Sequence, residues 1–215
     1  MENQSKGRME TKNPLSMINF DPVKHRYTKG GLVIPSVTQV IDPLVSFYAP
    51  AEVLEAARVR GTLVHSLTAG IDMDLMSLED ALEDAEKCDL VGYIKAWEAF
   101  KRDVGDSFWE VETKVYSERY NYAGTLDRVM YLRGIGSTVV DIKTGGLMPE
   151  YALQTAAYAQ AYSEHADERA LPIKRRMVVQ LRSDGSYNTC THANKLDLPA
   201  FIAALTLKQW REQNA

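Results

Sequence analysis

The stretch that decides the fold runs YAGTLDRVMYL (122–132), RGIG (133–136) and STVVDIKTGG (137–146), followed by PEYALQTAAYAQAYSEH (149–165). Two segments flank the glycine-rich turn Arg133-Gly134-Ile135-Gly136, which predicts strands over Tyr122–Leu132 and Thr138–Lys143 joined as an antiparallel hairpin. If Gly134 centres the turn, Asp127 falls opposite Asp141, with Cβ atoms roughly 4.5–5.5 Å apart. Lys143 lies two positions beyond Asp141 and so shares its face. The helix opened by Pro149 carries Gln154 and Tyr158 at i and i+4, on one side.

Outward from this core the same logic predicts the remaining elements. Residues 25–28 and 32–34 form a hairpin about Lys29-Gly30-Gly31. Ser36 opens a short helical turn stopped by Pro43, and Pro50 begins a longer helix to about Ala69. On that helix Val53, Leu54, Ala57, Gly61, Val64 and Thr68 repeat at three- and four-residue spacing and are expected to face inward. Ser77 with Asp80 caps a second helix, and a third runs from about Asp89 to Val104. From Ser107 the period drops to two, giving a strand in which Trp109, Val111, Thr113 and Val115 alternate with Glu110 and Glu112. Ile173–Leu181 and Tyr187–His192 form a last strand pair, and a terminal helix starts near Asp197. The expected fold class is α/β: a single domain with a central mixed β-sheet flanked by helices. Its divisions are a polar tail over 1–20 and one domain over 21–215, with a helical segment 50–104 and a core 107–213.

The chain has 215 residues, 25 Lys plus Arg against 29 Asp plus Glu, and a formal charge of −4. The balance is misleading, because eight acids and one base between Asp72 and Asp89 put −7 into one segment and leave +3 for the rest. An acidic total therefore leaves a mildly basic working face open. The first twenty residues lack the apolar stretch of a signal peptide, and no apolar run approaches the roughly 18 residues of a membrane span, so a cytoplasmic location with no membrane partner is expected. Cys88 and Cys190 form no CxxC pair, which argues against a disulfide framework, a zinc ribbon or an iron–sulfur cluster. Phosphate-cradle, zinc-protease and serine-hydrolase motifs (GxxxxGK[ST], HExxH, GxSxG) are missing.

Two carboxylates placed opposite each other repel unless a cation joins them. Oxygen donors suit Mg²⁺ or Mn²⁺, which polarise a phosphoryl oxygen and lower the pKa of an attacking water. Lys143 beside such an ion would position or help deprotonate that water and offset charge growing on phosphate. Gln154 and Tyr158 could reach the site or a nucleic-acid backbone.

These residues resemble the PD-(D/E)XK nuclease superfamily, in particular its RecB-like, phage-type exonuclease branch. GTLD (124–127) resembles the first acidic motif, DIK (141–143) the (D/E)xK motif, QTAAY (154–158) the QxxxY motif and RGTLVH (60–65) the upstream histidine motif. The resemblance spans about residues 60–160. It implies a restriction-endonuclease-like core, with Asp127 and Asp141 on a Mg²⁺ or Mn²⁺ ion, helped by the Ile142 carbonyl and His65. It further implies that Lys143 serves the attacking water while Gln154 and Tyr158 support the site. DNA would be the substrate, a single-strand annealing or other recombination protein a partner, and a homo-oligomer remains open. The implied activity is metal-dependent hydrolysis of DNA phosphodiesters by an exonuclease acting on ends in recombination, repair or phage replication. The alternatives are an endonuclease of the same superfamily, distinguished only by the substrate-shaping segments 1–58 and 72–105, where a helical arch enclosing a strand would favour the exonuclease, and a catalytically silent DNA-end-binding protein.

Blander readings stand beside these. The Asp127–Asp141–Lys143 group is otherwise a surface ion-pair ladder, and His65 a satisfied helix histidine, although its Gly61 neighbour, which admits another backbone, favours a ligand role. Glu112 is solvent-exposed by default, with completion of the metal site as its functional role. Arg58, Arg60 and Arg128 together with Lys174, Arg175 and Arg176 would line a phosphate track; the last three otherwise protect a strand edge. Tyr27, Trp109 and Tyr120 are expected to pack rather than to stack on bases. His25, His165 and His192 share no metal-ligand spacing, and Asp72-Met73-Asp74 reads as a helix-end loop.

Overall fold

The computed structural model describes residues 18–22, 24, 26–45, 49–165 and 172–214, apart from the side chains of Asp106 and Trp109. The tail over 1–17, His25 and any stacking role of Trp109 therefore lie outside the described residues.

The hairpin forms as expected. Strand β5 (Tyr122–Leu132) pairs antiparallel with β6 (Gly136–Lys143), and Arg128 opposite Val140 is the last pair before the site. That is the anticipated register, and one position further on it sets Asp127 against Asp141. On the other side of β5 lies β4 (Gly105–Ser117), whose pairs Val111↔Arg128 and Thr113↔Leu126 bracket Glu112 and Asp127. Glu112, Asp127 and Asp141 thus occupy one row across three neighbouring strands.

Beyond β6 the sheet turns parallel. Strand β7 (Arg175–Leu181) runs alongside β6, and β8 (Tyr187–His192) closes the order β4-β5-β6-β7-β8 as an antiparallel edge. A parallel neighbour demands a crossover, supplied here by the alanine-rich helix α5 (Tyr151–His165). One sheet face packs on α5, α1 (Val37–Ile41) and α6 (Asp197–Gln213) through Val115, Leu126, Val139, Tyr158, Phe201 and Leu205. The opposite face packs on α2 (Ala51–Asp72), α3 (Leu78–Glu86) and α4 (Val91–Val104) through Val140, Ile142, Val179, Ile94, Trp97 and Phe100. Alternation along β6 sends Val139 to the first layer and Val140 and Ile142 to the second. The result is a single α/β domain with a mixed central sheet between helical layers.

The capping chemistry is local and legible. Ser36 and Gln39 form a reciprocal capping box on α1, and the Ser77 hydroxyl accepts from the Asp80 amide on α3. Most of segment 72–105, expected to shape the substrate, forms α3 and α4 of this layer.

Two expectations need correcting. Within the segment expected as a tail (1–20), Ile18–Asp21 forms a strand, β1, pairing with β2 (Arg26–Lys29), which pairs with β3 (Leu32–Ile34). Ile18, Tyr27 and Ile34 pack on Tyr116 and Ala123, and the Tyr27 hydroxyl meets Thr125 Oγ1 at 2.8 Å. A four-residue strand carries too little pattern to stand out from polar flanks. The inward stripe of α2 is the second correction. Val64 and Thr68 are fully buried, yet Val53 is 54% and Leu54 48% exposed.

Candidate functional site

The β5–β6 ladder gives way at the site. Instead of a backbone bond, the Ile142 amide donates to Asp127 Oδ2 at 2.6 Å. The hairpin splays here, and the Asp127 side chain takes the freed N–H group.

Helix α2 brings His65 over this opening. Its Nε2 donates to the Ile142 carbonyl at 3.0 Å, because a carbonyl can only accept. That bond leaves Nδ1 facing Glu112 Oε1 and Asp127 Oδ1, each at 3.5 Å. A donor atom from each of His65, Glu112 and Asp127 lies within 4.8 Å of the others, so this group could bind a metal ion. The Ile142 carbonyl, expected as a ligand, instead orients His65, the usual task of a group behind a metal-ligating histidine. Burial works against a charged His65, but Asp127 and Glu112 outweigh it and push its pKa up to about 8.

Asp141 stands beside this group rather than within it. It is fully buried; Oδ2 is paired with Lys143 Nζ at 2.7 Å, and Oδ1 has no hydrogen-bond partner. Burial, reinforced by Asp127 and opposed by Lys143, pushes the Asp141 carboxyl up to about 6. Burial also disfavours the Lys143 ammonium, but Asp141 and Asp127 more than compensate and raise its pKa. Lys143 is therefore a cation near neutrality, suited to holding a water or a phosphate oxygen rather than to removing a proton. A buried acceptor without a hydrogen bond, next to one nitrogen and two carboxylate donors, fits a divalent cation.

Glu112 earns its place through backbone strain, with φ at +47°, a conformation few non-glycine residues adopt. Arg128 holds it there. The Arg128 side chain is fully buried: Nη1 donates to Glu112 Oε1 at 3.0 Å and to the Asp127 carbonyl at 2.7 Å. Nη2 donates to Thr68 Oγ1 at 3.1 Å and Nε to Asp72 Oδ2 at 2.8 Å. Asp72 also accepts from Trp97 Nε1 and Lys101 Nζ. The expected phosphate contact at Arg128 is therefore corrected, since a guanidinium sealed beneath the sheet cannot meet a polynucleotide. Asp72, read as part of a solvated acidic loop, is its buried counterion. Its sequence context of neighbouring acids hid it.

The other basic residues scatter. Arg60 donates to Thr144 Oγ1 at 3.3 Å and lines the cleft beside Lys143. Arg58 is exposed and paired with Glu55. Lys174, Arg175 and Arg176 line a separate cavity of about 420 Å³ between α5, β8 and the start of α6. Gln180, opposite Lys143, is five residues along β7 from Arg175, roughly 16 Å at strand rise. Arg176 is engaged by Asp197 Oδ2 at 2.7 Å and the Ala152 carbonyl. The six basic residues do not form one track.

Gln154 and Tyr158 are only 5% and 4% exposed, and Gln154 Nε2 donates to the Tyr158 hydroxyl at 3.2 Å. That burial rules out contact with a nucleic-acid backbone and suits a supporting position. Burial, with Asp141 and Asp127 nearby, raises the Tyr158 phenol well above its usual range, so it stays neutral. Gly124 of the GTLD segment makes room for it: a Cβ there would meet Tyr158 Cε1 at 2.6 Å. Gly61, by contrast, would accept a Cβ, which would find only Thr144 Oγ1 at 3.9 Å.

No family model matches the chain. Nor does any curated protein. Among solved structures, the chain is similar to a candidate exonuclease from Eubacterium rectale, with 12% identity, a TM-score of 0.45, and coverage of 80% of this chain and 69% of that one. Protein SSO0001 is similar at 12% identity and a TM-score of 0.35, over 78% of this chain and 80% of that one. No helix among the described residues is long and apolar enough to cross a membrane.

Proposed function

We propose that the protein is a divalent-metal-dependent nuclease that hydrolyses DNA phosphodiesters, working as an exonuclease on DNA ends. The observation that carries the reading is the row Glu112, Asp127 and Asp141, with His65 above it and the Lys143 ammonium 2.7 Å from Asp141. A structural ion pair would satisfy the whole carboxylate, whereas Asp141 keeps one buried oxygen, Oδ1, without a hydrogen bond.

His65 Nδ1, Glu112 and Asp127 would hold the cation, with Asp141 completing its shell. When bound, such an ion supplies Lewis-acid charge to the phosphoryl oxygen and acidifies the attacking water. The remaining work belongs to the chain. Lys143 places its N–H donors where negative charge grows on phosphate, in a site shielded from solvent screening. Asp127, anchored through Oδ2 by the Ile142 amide, presents Oδ1 in a fixed direction. Arg128 keeps Glu112 from collapsing onto its neighbours, and Arg60 offers a guanidinium to a flanking phosphate.

The test is digestion of 5′- and 3′-labelled single- and double-stranded DNA with Mg²⁺, Mn²⁺ or chelator, alongside Asp141→Asn and Lys143→Met. Metal-dependent release of terminal nucleotides, lost in both variants with the circular dichroism unchanged, is expected. Internal fragments would replace the exonuclease mode by an endonuclease mode. Cutting that survives chelation or Asp141→Asn would overturn the assignment of the site.

A further inference from the structure

Val53, Leu54 and Ala57 repeat at helical spacing on the first half of α2, the pattern of a core-facing stripe. The core does not take them. With Leu147, itself 40% exposed, and Met148 they wall a cleft of about 740 Å³ whose floor is Ile142 and Lys143. His65 and Arg60 stand at the same cleft. Its volume lies within the roughly 300–1,000 Å³ of sites that enclose a small ligand. Aliphatic surface left in water next to charged catalytic groups marks a binding surface.

The lining decides what binds. A strand held by its phosphates alone would need basic side chains along both walls, and Arg60 and Lys143 are the bases here. They suffice for the phosphates on either side of one nucleotide. Val53, Leu54, Ala57, Leu147 and Met148 give the cleft an apolar wall that suits a flat, weakly hydrated group, with His65, Thr144, Glu150 and Tyr151 as its other polar and aromatic members. In a duplex each base is stacked and paired, showing only its edges to the grooves, and cannot enter such a concavity without leaving the stack.

We propose that this cleft takes the unpaired nucleobase next to the phosphodiester at Lys143, so that the protein acts on single-stranded or frayed DNA. The proposal rests on the nuclease reading of the neighbouring carboxylates, but its test does not depend on cutting.

The probe is short single-stranded DNA carrying 2-aminopurine at one end, titrated with the chelated protein. Transfer of the base from water to the cleft should change its fluorescence, and a duplex with the label paired well inside it should not respond. Leu54→Gln, an exposed change remote from the ion-binding row, should weaken binding about tenfold, close to 1.4 kcal/mol, while Leu54→Met retains it. With Mg²⁺ or Mn²⁺, an abasic site at the nucleotide beside the cleaved bond should slow cutting to a similar degree. Equal fluorescence response from duplex, wild-type affinity in Leu54→Gln, or indifference to the abasic site would overturn the base pocket and leave the nuclease reading standing. A base-dependent response without cutting in any metal would support the pocket and sink the nuclease reading.

Discussion

The affinity of the site for Mg²⁺ should climb steeply between pH 6 and pH 9, since two of the groups that would meet the ion hold protons in that range. His65, raised to about 8 by Asp127 and Glu112 against the pull of burial, must lose its Nδ1 proton to become a ligand. Asp141, raised to about 6 chiefly by burial, must ionise. At pH 6 proton competition weakens binding about a hundredfold through His65 and about twofold through Asp141; at pH 9 both penalties are close to nothing. The apparent affinity therefore changes about two hundredfold, or about 3 kcal/mol. At pH 7 about one proton should leave the protein per ion bound, nearly all of it from His65. Isothermal titration with Mg²⁺ in buffers of different ionisation enthalpy measures both quantities. His65→Gln should weaken binding at high pH and flatten most of the dependence. A wild-type affinity that is flat across this range, or a proton release unchanged in His65→Gln, would refute the reasoning.

Three further outcomes follow from the same geometry. Without metal, the melting temperature should fall as pH rises. The raised Asp141 carboxyl loses its contribution between about 3.8 and 6, and the raised His65 keeps its contribution below about 6.5 and loses it through about 8. Scanning calorimetry in chelator checks this, and a melting temperature that rises across that window would contradict it. Arg128→Met strips Asp72 and Glu112 of their shared buried partner and should cost on the order of 3–5 kcal/mol in urea unfolding, where a loss below about 1 kcal/mol would mean the network is slack. Gly124→Ala drives a methyl to within 2.6 Å of the Tyr158 ring and 3.2 Å of Val37 Cγ2, and should destabilise by about 1–3 kcal/mol in the same assay.

Much of this fold is written locally. The turn about Gly134 determined the pairing of both strands, because the register of a hairpin follows from its turn. The caps at Ser36 and Ser77 and the helix after Pro149 are equally local, resting on side chain and backbone within four residues. Among the candidate ligands, Asp127 was legible from the pairing geometry, whereas His65 entered through the resemblance of its motif and Glu112 only as an alternative to solvent exposure.

Tertiary structure decided what those side chains do. Sequence cannot tell that Arg128 lies sealed beneath the sheet while Arg60 reaches the cleft, since both are cations beside apolar neighbours and only the packing of α2 on β5 separates them. It cannot tell that Asp72, one acid among eight, is buried against Arg128, Trp97 and Lys101, or that Asp141 pairs with Lys143 while His65, Glu112 and Asp127 converge. Nor can helical periodicity show that the apolar stripe of α2 leaves the core halfway along. Periodicity reports which residues share a face; which surface that face meets depends on long-range packing, and at Val53 and Leu54 it meets the open cleft.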